Sequence, residues 1–437
     1  MSTAPNAIYY FLKAWVKLLF RIYFEKITCQ NKQGRLIQGP CIIISNHPNT
    51  MFDALLSAAS MKRMVFFLAN YSLFKTPFLN WFFNTFYCIP VRRPQDVKEN
   101  IPLQNEGNFA RATEHLKKNG CLYIAPEGSS FMKRKLRPFK TGTARIALMA
   151  EKECDFKLGL HILPIGLNYA EPSQFRSSVH IYIGERIAVS AFREAYEQDA
   201  FEGVRLLSEF LENEEKKLVT VVENTSEERL VRQMEEILHN EEPQKPDENF
   251  FRSKALIGYW DFIKGEDAGV FEKLKKEVIF YHVRLKGWRI SDASVKNAKI
   301  SFLEILYLFF GLPIFIIGWS FHYLPGKIIR LLIERLKFYI GYYSTVKLLA
   351  GMLIFSAFYI LIFFLGLHFF DSRWAVFIII TALPFCGIFA CQWQKWWEKL
   401  LSKIRLKNSK ENFRQLSQSR EAILIFLRNF LKTAKHD

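Results

Sequence analysis

A chain of 437 residues has room for one large domain with an appendage, or for two domains. Half of its residues are apolar, including 42 phenylalanines, and its formal net charge of +18 favours contact with anionic lipid and phosphate-bearing ligands. A basic chain would also suit nucleic acid, but the sequence contains no zinc-finger spacing, helix-turn-helix pattern or RNA-binding aromatic signature. We therefore expect no nucleic-acid partner.

Three basic residues at intervals of four, Lys13, Lys17 and Arg21, interrupt the first apolar stretch. This spacing places them on one side of a helix. The other side carries apolar and aromatic residues: Tyr10, Phe11, Trp15, Leu18, Leu19 and Ile22. The pattern predicts a helix lying in the membrane interface, and an ordinary amphipathic helix packed on a domain is the alternative.

Short apolar strands alternate with helical runs over residues 31–190, which predicts an α/β layer structure. The predicted strands are Cys41–Ser45, Met64–Ala69, Cys121–Ala125, Ile162–Asn168 and Val179–Ile183, and the predicted helices include Phe109–Asn119 and Thr143–Lys152. The region that follows, 191–300, is charged and has a helical period, so we predict a helical extension.

A histidine and a carboxylate, His47 and Asp53, lie where the first of these strands leads into a predicted helix. A turn at this junction can fold the carboxylate back onto the imidazole. An Asp–His pair makes the imidazole a general base for a hydroxyl. The alternative is a structural histidine that caps a helix at the end of a strand.

The sequence Asn46-His47, followed by Asp53 and later by Pro126-Glu127-Gly128, resembles the glycerolipid acyltransferases. These enzymes move a fatty acyl group from a thioester donor to a hydroxyl of a glycerol phosphate. Four residues usually separate His from Asp in that family, whereas five intervene here, which is similar to the glycerol-3-phosphate and dihydroxyacetone-phosphate acyltransferases of the fungal type. The resemblance implies a mixed sheet flanked by helices and no cofactor, with acyl-CoA or an acyl carrier protein thioester as co-substrate.

Two further segments match the acceptor-binding motifs of the family. An arginine after an Ile-Pro pair contacts the acceptor phosphate there, which implies this role for Arg92 or the adjacent Arg93. Glu127 and Gly128 correspond to acceptor-binding residues. Gly128 lets backbone amides approach a phosphate, and Ser129 can donate a further hydrogen bond. A solvated surface arginine and a helix-capping glutamate are the alternatives.

A basic loop over residues 133–140 ends where a helix is predicted to begin. A helix N-terminus together with Arg137 and Lys140 forms an anion site for the phosphate of the acceptor or those of the donor. The alternative is a basic loop that lies on anionic lipid. The other histidines have no neighbouring Asp, Glu or Cys pattern for a metal, so we predict no metal site.

Three apolar stretches follow, and two of them, 348–370 and 374–393, contain no Asp, Glu, Lys or Arg. Each is long enough to span a bilayer, and the very short turn between them predicts a transmembrane hairpin. The first stretch, 302–324, carries Glu304 and is interrupted by Gly311 and Pro313, so we predict a re-entrant or interfacial segment bent there. Lysine and arginine in the flanking segments place both ends of the hairpin in the cytoplasm.

The predicted organisation has five parts: an interfacial amphipathic helix (1–30), an acyltransferase catalytic domain (31–190), a helical extension (191–300), a membrane region (301–393) and a basic amphipathic cytoplasmic tail (394–437). We expect an integral membrane O-acyltransferase of phospholipid biosynthesis, with its catalytic domain on the cytoplasmic face of a bacterial inner membrane or its equivalent. Glycerol-3-phosphate or dihydroxyacetone phosphate is the expected acceptor, and 1-acylglycerol-3-phosphate is the alternative. A non-catalytic lipid-binding protein and a hydrolase are the rival classes.

The topology predicts that a reporter fused after residue 295 lies on the cytoplasmic side, where acyl-CoA and acyl carrier protein occur. Protease accessibility in sealed vesicles of defined orientation measures this. A reporter on the opposite side would contradict the predicted topology.

Overall fold

The chain folds into two units in the computed structural model, which describes residues 3–74, 76–85, 87–92, 106–337 and 339–433. The first unit comprises Met1–Val221 together with Phe338–Thr345. The second comprises Val222–Lys337 and Val346–Asp437. The first unit is therefore discontinuous in sequence.

A mixed β-sheet forms the centre of the first unit. Its strands lie in the order β1-β7-β6-β2-β5-β3-β4, and a short strand, β8, pairs with β6. The strands from β6 to β4 in this order are parallel, whereas β7 runs antiparallel to β6. The sheet confirms the predicted α/β class, and its strands are β1 (Lys26–Gln30), β2 (Cys41–Ser45), β3 (Phe66–Asn70), β4 (Cys88–Val91), β5 (Cys121–Ile124), β6 (His161–Tyr169), β7 (Ser178–Ile183) and β8 (Ile187–Ala188).

Helices cover the central strands on both faces. All five residues of β2 are buried, as expected for a parallel strand whose sequence is a continuous apolar run. Ile42 and Ile44 join a core formed with α4, α5 and α7, while α2 contacts the same strand. The helices of this unit are α1 (Thr3–Tyr23), α2 (Met51–Ser60), α3 (Pro77–Thr85), α4 (Glu106–Lys117), α5 (Gly142–Lys152), α6 (Arg193–Gln198) and α7 (Ala200–Leu218).

The N-terminal helix packs through its last turn and leaves most of its apolar side exposed. Phe20 and Tyr23 contact the ring of Phe52 on α2, at centroid distances of 5.2 and 4.9 Å. Lys13 is buried, and its Nζ donates to the backbone oxygen of Arg63 at 2.8 Å. The exposed residues are those predicted to face lipid: Tyr10, Phe11, Trp15, Leu18 and Ile22. The interfacial location itself stays a prediction.

The patterns of the sequence did not indicate β1, β4 or α3. Strand β4 contains Pro90, which cannot donate to a neighbouring strand. It lies at the edge of the sheet, paired only with β3, where a proline is tolerated. A proline therefore obscured a strand that carries one of the predicted site residues at its end.

The predicted boundary at residue 190 has to be corrected, because α7 belongs to the sheet unit. Leu207 and Leu211 are buried in the same core as the central strands. Their amphipathic pattern correctly indicated a helix, but it carried no information about which apolar surface the helix covers.

Within the described residues, eight α-helices belong wholly or mainly to the second unit. The predicted tail, 394–437, is not separate from the helical extension, because α15 is buried against α8 and α10 through Leu416, Ile423, Leu424 and Leu427. These spacings form one apolar helical face, which needs a partner surface. The helices are α8 (Glu228–Glu241), α9 (Pro246–Glu266), α10 (Ala268–Trp288), α11 (Asp292–Lys296), α12 (Phe302–Leu336), α13 (Tyr343–Phe369), α14 (Arg373–Asn408) and α15 (Lys410–Thr433).

In the part of the chain that the structure describes, three helical segments are long and apolar enough to cross a membrane: Phe302–Leu336, Ile340–Phe369 and Arg373–Asn408. These segments indicate that the protein is associated with a membrane. The predicted bend at Gly311–Pro313 is absent, since α12 continues as one helix through Pro313 and Pro325; the position of this helix relative to the membrane stays a prediction. In apolar surroundings the remaining backbone groups are satisfied best inside a continuing helix.

Helix α14 packs closely along α12. A Cβ on Gly318 would lie 2.1 Å from the backbone oxygen of Cys386, so only a glycine allows the two backbones to approach this far. Trp393 Nε1 donates to the backbone oxygen of Leu308 at 3.0 Å. Gly311, where the sequence predicted a bend, is a second contact point between these helices, since a Cβ there would lie 2.8 Å from the ring of Phe389.

A buried ion pair connects α11 with α15, and its removal is expected to destabilise the second unit. Asp292 is fully buried and accepts hydrogen bonds from Tyr281 Oη (2.6 Å), Arg420 Nε (2.9 Å) and Asn240 Nδ2 (2.9 Å). Asp292→Ala leaves these donors without their acceptor, and should lower the free energy of unfolding by about 3–5 kcal/mol. Denaturant unfolding of the detergent-solubilised protein measures the loss.

Arg428→Ala is the matched control, because its pair with Glu421 is half-exposed. An exposed pair contributes roughly 0–1 kcal/mol. Equal losses in the free energy of unfolding would show that the buried pair stabilises the protein no more than the exposed pair does.

Candidate active site

The predicted histidine–aspartate contact is present at the carboxyl end of β2. His47 Nδ1 lies 3.0 Å from Asp53 Oδ2. The strand ends at Ser45, a short loop carries His47, and α2 begins at Met51, so that Asp53 lies in the first helical turn. The side chain of His47 is 18% exposed while that of Asp53 is fully buried. Nδ1 of the imidazole is thus held by Asp53, while part of the ring remains exposed.

Three hydrogen-bond donors surround the buried carboxylate of Asp53. Besides His47, the backbone N–H of Asn49 donates to Oδ2 at 2.6 Å, and Tyr169 Oη donates to Oδ1 at 2.7 Å. Burial raises the pKa of Asp53, and these hydrogen bonds act in the opposite direction by stabilising its charged form. The carboxylate is therefore fixed in position as well as compensated for its lost hydration.

Thr50 adopts a costly backbone conformation between the two residues. Its φ is 47° and its ψ −121°, a region that β-branched residues avoid. Such a conformation costs on the order of 1–3 kcal/mol and persists only where surrounding contacts fix it. The loop from His47 to Asp53 is thus held by contacts outside itself.

Glu127 lies directly behind the loop, but it points inward. Its Oε1 accepts from the backbone N–H of His47 at 2.7 Å, and its Oε2 accepts from the backbone N–H of Arg137 at 3.2 Å. The side chain is 3% exposed, and burial raises its pKa to about 7. In the described structure Glu127 joins two backbone segments. Its implied contact with an acceptor stays a prediction.

The loop after β5 brings the other predicted residues next to Glu127. Gly128 has a φ of 71°, and a Cβ there would meet Lys140 Cγ at 3.3 Å, so the lysine stem lies along the glycine. Arg137 donates from a guanidinium nitrogen to Ser129 Oγ at 2.6 Å. Helix α5 begins two residues after Lys140. Gly128, Ser129, Arg137 and Lys140 therefore lie close together in the structure, whereas their contact with an acceptor stays a prediction.

Arg92 lies at the same edge of the sheet but further along it. It follows β4, which is three strands from β2 in the sheet order, or about 14 Å at the usual strand spacing. Its guanidinium lies over the ring of Tyr71, at 4.4 Å from the centroid. Arg93 lies outside the described residues. The structure thus gathers the residues after β2 and β5, and it places Arg92 at the end of a strand further along the sheet.

Two residues that support the histidine were not identified as site residues from the sequence. Asn46 pairs with the backbone of Leu167 on β6, donating to its oxygen at 3.0 Å and accepting from its nitrogen at 2.8 Å. Glu215 on α7 is fully buried and accepts from the backbone N–H of Asn46 at 3.0 Å. Asn46 sits beside His47 in the motif, whereas no local signal marks a glutamate 169 positions away.

The described residues contain no group of three His, Cys, Asp or Glu side chains that could hold a metal ion. The arrangement instead offers an oriented imidazole, a glycine-containing loop and neighbouring cations. These groups can remove a proton from a hydroxyl and hold an anion close to it.

Comparisons with known proteins find similarities over the part of the chain that forms this site. Residues 26–168 match the family model described as Acyltransferase. Glycerol-3-phosphate O-acyltransferase 2 of Saccharomyces cerevisiae is 29% identical over 236 residues, 52% of this chain and 31% of that protein. Glycerol-3-phosphate O-acyltransferase 1 of the same yeast is 26% identical over 209 residues, 46% of this chain and 27% of that protein. The chain thus spans about a third of the length of these relatives.

Two further similarities concern acyltransferases of lysophosphatidic acid. The chloroplastic 1-acyl-sn-glycerol-3-phosphate acyltransferase BAT2 of Brassica napus is 26% identical over 128 residues, 29% of this chain and 33% of that protein. The crystal structure of the 1-acyl-sn-glycerophosphate acyltransferase PlsC from Thermotoga maritima is 16% identical, with a TM-score of 0.36. The superposition covers 49% of this chain and 81% of that chain.

The buried glutamates predict that stability decreases as the pH rises. Burial raises the pKa of Glu215 to about 8, so the folded state retains a proton that the unfolded chain loses near pH 4.5. The free energy of unfolding should therefore fall from about pH 4.5 and level off above about pH 8. Glu215→Gln keeps an acceptor for Asn46 but cannot ionise, so the melting temperature should depend less steeply on pH.

Glu214→Gln is the control, since Glu214 is the adjacent residue on the same helix and pairs with Lys217 near the surface. The control should follow the wild-type curve. If Glu215→Gln also follows that curve over this range, the assignment of a buried, proton-retaining carboxyl is wrong.

Proposed function

We propose that this protein is a membrane-bound O-acyltransferase that acylates glycerol-3-phosphate, because residues 26–168 match the family model described as Acyltransferase. The observation that carries the proposal is the 3.0 Å contact between His47 Nδ1 and the buried carboxylate of Asp53. A base held in this way at the end of a parallel strand lies where α/β proteins bind their ligands.

The proposed reaction needs no covalent enzyme intermediate. Asp53 accepts the Nδ1–H of His47, which leaves Nε2 with a lone pair that can take the proton of the acceptor hydroxyl. The oxygen then attacks the thioester carbonyl, and the tetrahedral intermediate expels the thiolate. The imidazolium returns its proton to the thiolate, so the products are the acyl ester and the free thiol. Both substrates must be bound together for this sequence.

The acceptor phosphate is proposed to bind beside Gly128. Lys140 is exposed and lies along this glycine, and the N-terminus of α5 follows directly. A helix N-terminus and a cation together favour an anion. Arg137 donates a hydrogen bond to Ser129 Oγ, so the charge of the guanidinium lies beside the loop that contains Gly128. The phosphate would thus be held one loop away from the base.

Glycerol-3-phosphate is proposed as the acceptor on the basis of two observations. The yeast relatives carry this substrate in their names, and the five residues between His47 and Asp53 match the longer spacing of that group. Dihydroxyacetone phosphate is an alternative within the same group. The similarity to the Brassica napus enzyme supports 1-acylglycerol-3-phosphate as the second candidate.

The donor and the side of the membrane are further parts of the proposal. Acyl-CoA or acyl carrier protein supplies the acyl thioester, and both occur in the cytoplasm, which places the first unit on that face. Basic residues near the ends of the apolar helices agree with this orientation. The outward aromatic side of α1 would lie on the same leaflet.

We expect His47→Ala to lower kcat/KM for acyl transfer by about a hundredfold or more, because the general base is lost. The assay uses the detergent-solubilised full chain with labelled glycerol-3-phosphate, dihydroxyacetone phosphate and 1-acylglycerol-3-phosphate in parallel, each with acyl-CoA and with acyl carrier protein. Glycerol-3-phosphate should give the highest kcat/KM.

His161→Ala is the matched control, since His161 lies at the other end of the neighbouring strand and its Nδ1 lies 2.9 Å from the backbone oxygen of Gly159. It should retain wild-type activity. Full function of His47→Ala would favour a non-catalytic lipid-binding protein, and release of free fatty acid without acceptor would favour a hydrolase.

A further inference from the structure

A short segment far in sequence from the motifs around His47 and Glu127 packs against the loop that carries His47. Residues 339–345 follow α12 and include the first turn of α13; they lie well outside the family match at 26–168, yet they belong to the same unit as the sheet. Gly341 and Ser344 are buried there, and Thr345 is 8% exposed. The segment is therefore part of the interior of this unit.

Two direct hydrogen bonds join the segment to Thr50. Its Oγ1 lies 3.0 Å from the backbone oxygen of Gly341, to which it donates. It also lies 3.2 Å from Thr345 Oγ1. A hydroxyl has one hydrogen, so Thr345 must donate to Thr50 in this arrangement. Thr50 is thereby bound on both sides by residues almost 300 positions later in the chain.

A shared carbonyl joins the segment to Asn49 as well. The backbone oxygen of Pro172 accepts from Asn49 Nδ2 at 2.9 Å and from Ser344 Oγ at 2.7 Å. Asn49 is fully buried. Its backbone N–H is the one that holds Asp53, at 2.6 Å. The contacts of the segment therefore lead to Asn49, which donates to the carboxylate, and to Thr50, whose backbone oxygen accepts from the N–H of Asp53 at 3.3 Å.

Gly341 allows the close approach that these contacts need. A Cβ at this position would lie 2.6 Å from the ring of Tyr339 and 3.3 Å from Ser130 Oγ. Ser130 belongs to the loop after β5, directly beyond Ser129. The segment thus touches both loops that form the candidate site.

We propose that Ser344 and Thr345 are positioning residues for the acyl transfer, which hold Asn49 and Thr50 so that Asp53 stays in contact with His47. The inference rests on the proposed function and extends it beyond the residues of the family match. Thr50 has an unfavourable backbone conformation, so the loop relaxes when its outside contacts are removed. The carboxylate then moves relative to the imidazole, and small displacements of a catalytic group strongly reduce rate.

The test uses Thr345→Val and Ser344→Ala in the detergent-solubilised full chain. Each should lower kcat about tenfold or more, with KM for the acceptor and the donor changed less than twofold. Thr345→Ser restores the hydroxyl and should return kcat to within twofold of the wild type. Tyr342→Phe is the control, because Tyr342 is an exposed neighbour in the same segment, and it should leave kcat unchanged.

A double-mutant cycle between Thr50→Val and Thr345→Val identifies the contact. If both act through one hydrogen bond, the double variant loses no more rate than the more impaired single variant. Multiplicative losses overturn the proposed link between these two hydroxyls. Unchanged kcat in both Ser344→Ala and Thr345→Val, with only a lower melting temperature, overturns the positioning role.

A readout that needs no turnover separates this inference from the proposed function. Diethyl pyrocarbonate modifies accessible imidazoles, and mass spectrometry gives the rate at His47 with His161 as the internal reference. Thr345→Val should change the rate at His47 several-fold and leave His161 unchanged, even if no acceptor is turned over. An unchanged rate at His47 overturns the inference. An inactive wild type with an altered rate in the variant would contradict only the proposed function.

Discussion

Burial of the Asp53 carboxyl removes it from water, and the surrounding structure replaces the hydration with hydrogen bonds. The donors come from three places: the imidazole of His47, the backbone of Asn49 and the hydroxyl of Tyr169. Tyr169 ends β6, so the pairing of β6 with β2 must be in place before the carboxylate is fully bound. The geometry of the candidate base is therefore a property of the assembled sheet.

The same dependence extends to the backbone on the other side of His47. Glu127, in the loop after β5, accepts from the backbone N–H of His47. Glu215, on α7, accepts from the backbone N–H of Asn46. Two buried carboxyls of raised pKa thus accept from consecutive backbone N–H groups of the loop. The position of His47 therefore depends on the loop after β5 and on α7.

Local patterns explain what could be predicted from the sequence. The apolar run before Ser45 and the short distance to Asp53 identified β2 and the His47 contact, because both are encoded within one segment. The roles of Glu215 and Tyr169 depend on strand order and helix packing, which no local pattern carries. The inward direction of Glu127 was missed for the same reason. Hydropathy located the apolar helices but not the course of α12, since a proline in apolar surroundings need not end a helix.

The discontinuity of the first unit sets an order of events during synthesis. Residues 222–337, including the apolar helix α12, leave the ribosome before Gly341 and Thr345 can reach Thr50. At ordinary elongation rates this interval is on the order of ten seconds. During this interval the loop at Thr50 lacks its hydrogen bonds to Gly341 and Thr345. These contacts can form only after α12 has been synthesised.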